Sequence, residues 1–230
     1  MKAIAVALAF LDFAPVFFLA LGLFFLAQLV DRLDPRCRRL AFAGLVLITI
    51  AGLARAASNL EMAFSGREIP VLAASLYVFG GPGFTLMAAA LIRGRATALG
   101  QRAKRDPWIV PTVISWLSLM AAFYLNTLDS WSGAGSRALL FLALVGMAVT
   151  SLVATHLGLK RQLHMAAGLF ALSLAGTGVV VGLRALASQP MWIQLLAVIL
   201  NLTAQAAFAF AAWRVAAEYQ ARIGPTAPTP

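Results

Sequence analysis

The sequence is poor in the side chains from which disulfides, metal sites and cofactor sites are built. One cysteine and two histidines among 230 residues leave a single chain without a disulfide framework or a cluster of thiolate ligands. A retinal Schiff base requires a lysine deep inside a membrane span, whereas Lys2, Lys104 and Lys160 lie at or beyond the ends of apolar runs. A haem held between facing helices is also disfavoured, because His156 and His164 flank one tight turn. We therefore predict no metal and no cofactor.

Charged residues are scarce as well. They make up 11% of the chain against 62% hydrophobic residues, which leaves too little polar surface to cover a soluble domain. The net charge of +10 does not indicate nucleic-acid binding, because the basic residues stand in short segments without the interleaved aromatics of a strand-binding groove. The composition predicts an integral membrane protein whose partner is membrane lipid and not nucleic acid.

Seven apolar runs are each long enough to cross a bilayer, which requires about 20 residues. The runs are residues 3–30, 40–62, 71–92, 108–128, 138–159, 163–187 and 191–214. Pro70, Pro107 and Pro190 stand just before three of them, where a proline can begin a helix without losing a hydrogen bond. We predict an all-α integral membrane protein, a seven-transmembrane-helix bundle that forms one domain over residues 1–220. Residues 221–230 are predicted to be a disordered tail.

The basic residues predict the orientation of this bundle. Four lie in residues 31–39 and five in residues 93–105, and more follow the fifth and seventh runs, whereas the opposite side carries Lys2, Arg67 and Arg137. The positive-inside rule then puts the N-terminus outside and the C-terminus in the cytoplasm. A cleaved signal peptide is a poorer description of the first run, because that run ends in arginines and not in small residues. The expected location is the plasma membrane, which is the inner membrane if the source is a bacterium.

An arginine and its polar neighbours interrupt the second run. Arg55 lies roughly 10 Å inside the outer end of that helix, at about 1.5 Å per residue. Asp12 in the first run and Asn201 in the seventh reach a comparable depth. The third run has a stretch of helix-weakening residues at the same level, which comprises Gly80, Gly81, Pro82 and Gly83. A charged side chain at the bilayer centre costs about 2.5–3.5 kcal/mol on insertion scales, so we expect Arg55 to face the bundle interior.

Polar stripes on three other helices are expected to avoid lipid too. They are Gln194, Asn201 and Gln205 in the seventh run, Ser173, Thr177 and Arg184 in the sixth, and Ser115, Ser118 and Asn126 in the fourth. Pro82 and its glycines predict either an unwound break, as in many transporters, or a simple kink. The segment GVVVG at residues 178–182 predicts close contact between two spans.

The coincidence of charge, amides and a helix break at one depth favours a pocket that opens outward. It would bind a small polar or anionic solute for transport or sensing. The predicted binding residues are Asp12, Arg55, Asn59, Glu61, Asn201 and Gln205. Arg55 would contact the anionic group and the amides would orient it. Asp12 or Glu61 would neutralise Arg55 in the empty state or carry a coupling proton.

Two other functions stay open at the level of sequence. An Asp12–Arg55 pair could serve only to hold helices together in a structural or assembly protein. A membrane-embedded lipid-modifying enzyme would need an acid and a base, for which Asp12 and Glu61 are the candidates. The loop that carries Lys160 and Arg161 could also accept an anionic headgroup. Neither catalytic residues nor an oligomeric state can be assigned from these patterns.

Overall fold

The computed structural model describes residues 2–67, 69–101, 106–128, 134–184 and 190–223. Nearly all of these residues are helical, as the sequence predicts. A short 3-10 turn, Pro35–Cys37, joins the second helix to the third. The α-helices are α1 (Lys2–Leu11), α2 (Phe13–Leu33), α3 (Arg38–Ser65), α4 (Pro70–Ala98), α5 (Ile109–Leu128), α6 (Ala134–Lys160), α7 (His164–Arg184) and α8 (Met191–Ile223).

Six helical segments in the described part of the chain are long and apolar enough to cross a membrane. They are Val6–Leu33, Pro35–Ser65, Ala74–Ala98, Arg137–Lys160, His164–Leu183 and Met191–Ala221. Within α5 the apolar stretch among the described residues, Ile109–Ala121, is shorter. The chain is therefore a multi-pass membrane helical bundle with six long apolar helices among its described residues.

The first predicted span forms two helices. Asp12 lies at the junction between α1 and α2, where its amide still donates to the Leu8 carbonyl over 3.2 Å. Pro15 explains the interruption, because a proline has no N–H with which to bond the carbonyl of Leu11, four residues earlier. The interruption between α1 and α2 thus falls at the Asp12 carboxylate.

Of the two alternatives for the third span, an unwound break or a simple kink, the structure shows no unwinding. Helix α4 is continuous through Gly80, Gly81, Pro82 and Gly83, all of which are buried. A Cβ atom on Gly44 of α3 would lie 2.8 Å from the Gly83 carbonyl oxygen, and one on Gly83 would lie 2.8 Å from Ile48 Cγ1. The glycines therefore allow α3 and α4 to approach closely, and the packing around them keeps the proline-containing turn helical.

The GVVVG segment in α7 does not make the contact that its pattern predicts. A Cβ atom built on Gly178 or Gly182 would meet no described atom within 4 Å, and both residues are exposed. The close approach of α7 to α8 occurs at Gly176 instead, where a Cβ atom would lie 3.0 Å from the Ala204 Cβ. The motif therefore predicts the helix that packs closely, but the close contact lies on another face of that helix.

The close-packed hydrophobic core lies at one end of the bundle. It is formed by the C-terminal halves of α2, α4, α6 and α8 and the N-terminal halves of α3 and α7. Leu26, Met87, Leu157 and Phe170 are among its largest fully buried side chains. The core holds the ends of six helices in place, and the end of the bundle where α1 joins contains cavities lined by polar residues.

The last helix is longer than the sequence predicts. Helix α8 continues to Ile223, three residues past the predicted domain boundary at residue 220. Its final turns stay attached because Val215, Ala216 and Tyr219 are buried against the core. The rest of the predicted tail, residues 224–230, lies outside the described residues.

Candidate functional site

Two neighbouring cavities lie between α1, α2, α3 and α8, with volumes of about 440 and 160 Å³. Asp12, Arg55 and Asn59 line both of them. These three side chains, which we call the polar trio, therefore stand between the two spaces. A solute in either cavity would contact the same two charged groups.

Asp12 takes its position from the interruption between α1 and α2. Its Oδ2 atom accepts a hydrogen bond of 2.7 Å from Asn59 Nδ2 on α3. This bond joins residues 47 positions apart in the chain, and its short length is typical of a charge-assisted interaction. The contact fixes the carboxylate against the face of α3 that carries Arg55 and Asn59, which are one helical turn apart.

Arg55 is half-buried and lines both cavities together with Asp12. The helix thus turns this side chain toward the interior, as its cost in lipid requires. Two opposite charges that share one space offset each other, so the site as a whole is close to neutral. An arginine guanidinium presents several donors in a fixed plane, which suits a carboxylate or another planar anion.

Helix α8 supplies the amides of the site. Gln194 lines the larger cavity, and Asn201 and Gln205 line the smaller one. The Nε2 atom of Gln205 donates to Thr177 Oγ1 of α7 over 3.3 Å and lies 3.5 Å from Asn201 Oδ1. Gln205 and Ser173, which is one turn before Thr177 on α7, are buried. The predicted stripes of the sixth and seventh spans therefore meet inside the bundle.

Two predicted parts of the site lie elsewhere. Glu61 is not among the residues that line either cavity. It is two residues after Asn59, a step of about 200° around a helix, and so points away from the face that carries the polar trio. The glycine and proline segment at residues 80–83 does not line the cavities either. Leu76, which lies before this segment, is the α4 residue on the wall of the smaller cavity.

The sequence argument missed some of the residues that make the larger cavity. Gln194 belongs to the α8 stripe but was not assigned to the site, although its spacing of seven residues from Asn201 puts it on the same face. The alanines Ala9, Ala63 and Ala197 also line this cavity. Their small side chains leave room beside the polar trio, a property that no single helix reveals.

The fourth span contributes nothing to these two cavities among its described side chains. Ser115 of α5 is buried, and its hydroxyl has no hydrogen-bond partner among the described residues. Ser118 donates to the Ile114 carbonyl of its own helix over 2.7 Å. The side chains of Asn126 and of Arg184, the last residue of the α7 stripe, lie outside the described set.

The side chains at this site can form ion pairs and hydrogen bonds. The site offers one guanidinium, one carboxylate and several amides around a space large enough for a small molecule. In the described part of the chain no group of three or more His, Cys, Asp or Glu side chains could hold a metal ion. The guanidinium, carboxylate and amide groups of the site can pair with an anion or form hydrogen bonds with a polar molecule.

The Asn59–Asp12 hydrogen bond should contribute measurably to stability. We expect Asn59→Leu to lower the free energy of unfolding by about 1.5–3 kcal/mol, the range for a hydrogen bond to a charged group. Asn201→Leu is the matched control, because the contact of Asn201 with Gln205 is long, at 3.5 Å, and its loss should cost less. Thermal unfolding in one detergent compares the two. Equal losses of stability in the two variants would show that the Asn59–Asp12 bond contributes no more than the long Asn201–Gln205 contact.

In the Asp12→Asn background we expect the cost of Asn59→Leu to fall, because the bond to Oδ2 no longer involves a charge. An unchanged cost in that background would contradict the assignment of a charge-assisted bond.

Comparison with known proteins adds no further constraint to this geometry. No protein-family model matches the chain, and no curated protein or solved structure matches it significantly. The function is therefore inferred from the residues that line the cavities.

Proposed function

We propose that the protein is a seven-span membrane protein that binds a small polar or anionic solute for transport or sensing. Helix α5 would be the remaining span, since its 20 residues extend about 30 Å, the thickness of a bilayer core. The distribution of lysines and arginines supports an external N-terminus and a cytoplasmic C-terminus. In that orientation both cavities open toward the outer side.

The observation that carries the proposal is the position of the polar trio on the walls of two cavities at once. Polar residues that only hold helices together need nothing more than contact between side chains. Here the polar trio borders about 440 Å³ of space on one side and 160 Å³ on the other. Specific ligand sites are generally concave, with a few polar groups among apolar ones. The alanines and the valine Val198 on the larger cavity's wall complete this pattern.

The roles of the residues follow from their charges and partners. Arg55 would pair with the anionic group of the solute. The attraction between the two charges is stronger in the low dielectric of the bundle than in water. Asn59 holds Asp12 through its 2.7 Å bond, so the carboxylate stays oriented when Arg55 turns to a ligand. The amides of Gln194 and Asn201 would orient the polar remainder of the solute.

A thermal-shift experiment tests whether the larger cavity is a ligand site. Purified protein is heated with small carboxylates (acetate, lactate and succinate) and with their neutral amides at constant ionic strength. We expect a saturable rise in Tm with one of the carboxylates, because a ligand that binds only the folded state stabilises it by mass action. No saturable shift with either series would contradict the proposal.

Blocking the cavity provides the matched control for this experiment. Ala197 lines the larger cavity and is 4% exposed, whereas its neighbour Leu196 is 39% exposed on the outer face of α8. Ala197→Phe should abolish the ligand-dependent shift and Leu196→Phe should preserve it. Ala63→Leu, from the opposite wall, repeats the test if Ala197→Phe lowers the basal Tm. A shift that survives both cavity-filling variants would place the ligand elsewhere.

The short Asn59–Asp12 bond also favours a second function, in which the trio is structural. It ties the junction of α1 and α2 to α3, which is the work of polar groups between membrane helices. In that case the substitutions that remove polar groups should lower stability, and no small carboxylate should restore it.

A further inference from the structure

A second polar pocket lies at the other end of the bundle. It has a volume of about 140 Å³ and lies among the C-terminal ends of α4, α6 and α8, with Arg95, Lys160, Arg161 and Tyr219 on its wall. Along α8, Tyr219 is 25 residues from Gln194 of the larger cavity, which corresponds to about 37 Å at 1.5 Å per residue. The two sites are therefore separate.

Three cations surround this small volume. No aspartate or glutamate is among the described residues that line it, so their charges are not neutralised by a carboxylate inside the pocket. Three like charges around one hollow raise the free energy of the empty site. A bound anion would lower it.

Arg161 is held in place by an aromatic ring. Its guanidinium carbon lies 4.5 Å from the centre of the Tyr219 ring, and Tyr219 is 3% exposed. A cation over the face of an aromatic ring is attracted by the ring itself, without a hydrogen bond to an oxygen acceptor. The ring therefore positions Arg161, and the N–H donors of the guanidinium can still bond a ligand.

Arg95 carries an unsatisfied donor at this end of the bundle. Its Nε atom is buried and has no hydrogen-bond partner among the described residues. Arg93, two residues earlier on α4, instead donates from Nη2 to the Asp106 carbonyl over 3.2 Å. A buried donor without a partner is costly, and an acceptor in the pocket would remove this cost.

The helix ends account for the presence of basic residues here, but their terminal carbonyls do not use the side-chain donors of these residues. Basic residues do favour helix C-termini, where the dipole is negative, and this explains their presence in the last turns of α4 and α6. The terminal carbonyls already have partners, however. The amide of Leu99 bonds the Arg95 carbonyl over 3.1 Å, and that of Leu163 bonds the Gly158 carbonyl over 2.9 Å. The side chains are left to face the pocket.

We propose that this pocket binds a phosphate group, carried either by an anionic lipid or by a soluble phosphate compound. Arginine and lysine are the residues that recognise phosphate, and arginine does so with paired hydrogen bonds. The volume of about 140 Å³ suits a phosphate group and not a large ligand. The edge of the bundle is also where basic pockets between spans accept lipid headgroups. This site does not depend on the solute proposed for the polar cavities.

The lipid source is tested in nanodiscs. We compare the Tm of the protein in phosphatidylcholine discs with its Tm in discs that contain phosphatidylglycerol, and we titrate the fraction of that lipid. The double variant Lys160→Gln/Arg161→Gln should need about tenfold more phosphatidylglycerol for half of the stabilisation, since two charge-assisted contacts are lost. The matched control Arg36→Gln/Arg39→Gln removes two exposed charges, one from the 3-10 turn and one from the first turn of α3, and should behave as the wild type.

The soluble source is tested in phosphatidylcholine discs alone, with inorganic phosphate and pyrophosphate against chloride at equal ionic strength. A saturable rise in Tm that the pocket variant loses and the control variant keeps identifies a soluble phosphate ligand. Stabilisation by phosphatidylglycerol alone identifies a lipid headgroup. No stabilisation by either source, or an equal loss in both double variants, would overturn the proposal.

Arg95 gives an independent check that does not rely on the exposed residues. We expect Arg95→Lys to retain part of the phosphate- or lipid-dependent shift, because the charge remains, and Arg95→Gln to lose it. Equal shifts in both variants would show that Arg95 does not contact the anion. Ala197→Phe, which fills the distant cavity, should leave the shift unchanged.

Discussion

Arg55→Gln is expected to weaken the stabilisation of the protein by small carboxylates while the bundle stays folded. Arg55 is the charged donor that lines both cavities. A hydrogen bond to a charged group contributes about 1.5–3 kcal/mol, so its loss should weaken binding by roughly 10- to 100-fold. Glutamine keeps a donor and much of the side-chain volume. The measurement is the concentration of carboxylate that gives half of the maximal rise in Tm.

Arg67→Gln is the matched control for this variant. Arg67 is exposed beyond the end of α3, at the same end of the bundle, so its substitution removes the same charge without touching the cavity. If both variants lose carboxylate-dependent stabilisation equally, the effect comes from surface charge and the role of Arg55 is wrong.

Arg55→Gln also distinguishes the ligand-binding proposal from the structural alternative, in which the polar trio only holds helices together. In the structural alternative, Arg55→Gln lowers the basal Tm because it leaves the Asp12 carboxylate less well compensated, and the additional Asp12→Asn substitution restores it. In the binding proposal the basal Tm changes little and the second substitution restores no ligand response. The double-mutant cycle thus has a different outcome for each function.

Gly44→Val is expected to cause a large loss of stability. A Cβ atom at this position would lie 2.8 Å from the Gly83 carbonyl oxygen and 2.9 Å from the Met87 amide nitrogen. Both are backbone atoms, so no side-chain rotation can relieve the overlap, and α3 must move away from α4. Overpacking of this kind costs about 1–3 kcal/mol or more. Thermal unfolding of the two proteins in the same detergent measures it.

Gly178→Val supplies the control for Gly44→Val, because a Cβ atom at Gly178 meets nothing within 4 Å among the described residues. Both variants replace a glycine in a helix by the same β-branched residue, so propensity acts equally on them. Gly44→Ala should fall between the wild type and Gly44→Val. Similar Tm values for Gly44→Val and Gly178→Val would contradict the close approach of α3 and α4.

A shift of α3 would also be felt at the polar site. Gly44 and Arg55 lie on the same helix, so a displacement of α3 from α4 moves Arg55 and Asn59 relative to Asp12. If Gly44→Val remains folded, we expect its response to carboxylates to be weaker than that of the wild type. The packing at Gly44 thus affects the geometry of the polar trio, because Gly44, Arg55 and Asn59 lie on the same helix.

Much of the site could be inferred from the depth and face of each polar residue within its own helix. Arg55 and Asn59 are one turn apart, and Asn201 and Gln205 are one turn apart, so each pair occupies one face. Glu61 departs from this pattern, because a step of six residues from Arg55 turns it to another face of α3, and it does not line either cavity.

The prolines show why local signals are not sufficient. Pro82 and Pro15 each remove a backbone hydrogen bond, yet the helix is interrupted near Pro15 and continuous at Pro82. Residues 80–83 are buried against neighbouring helices, whereas residues 10 and 11, before the junction, are exposed. Pro15 and Pro82 are both buried, so neither the presence of a proline nor its own burial predicts whether the helix is interrupted.

The sequence by itself determined that the chain is a helical membrane protein, where its helices lie and which of their faces are polar, because hydrophobic length and periodicity are properties of one segment at a time. Only the tertiary structure decided that Asp12 bonds Asn59, that alanines on three helices leave space beside Arg55, and that Gly44 meets Gly83. Cavities and close contacts depend on the relative placement of several helices, and no single helix contains that information.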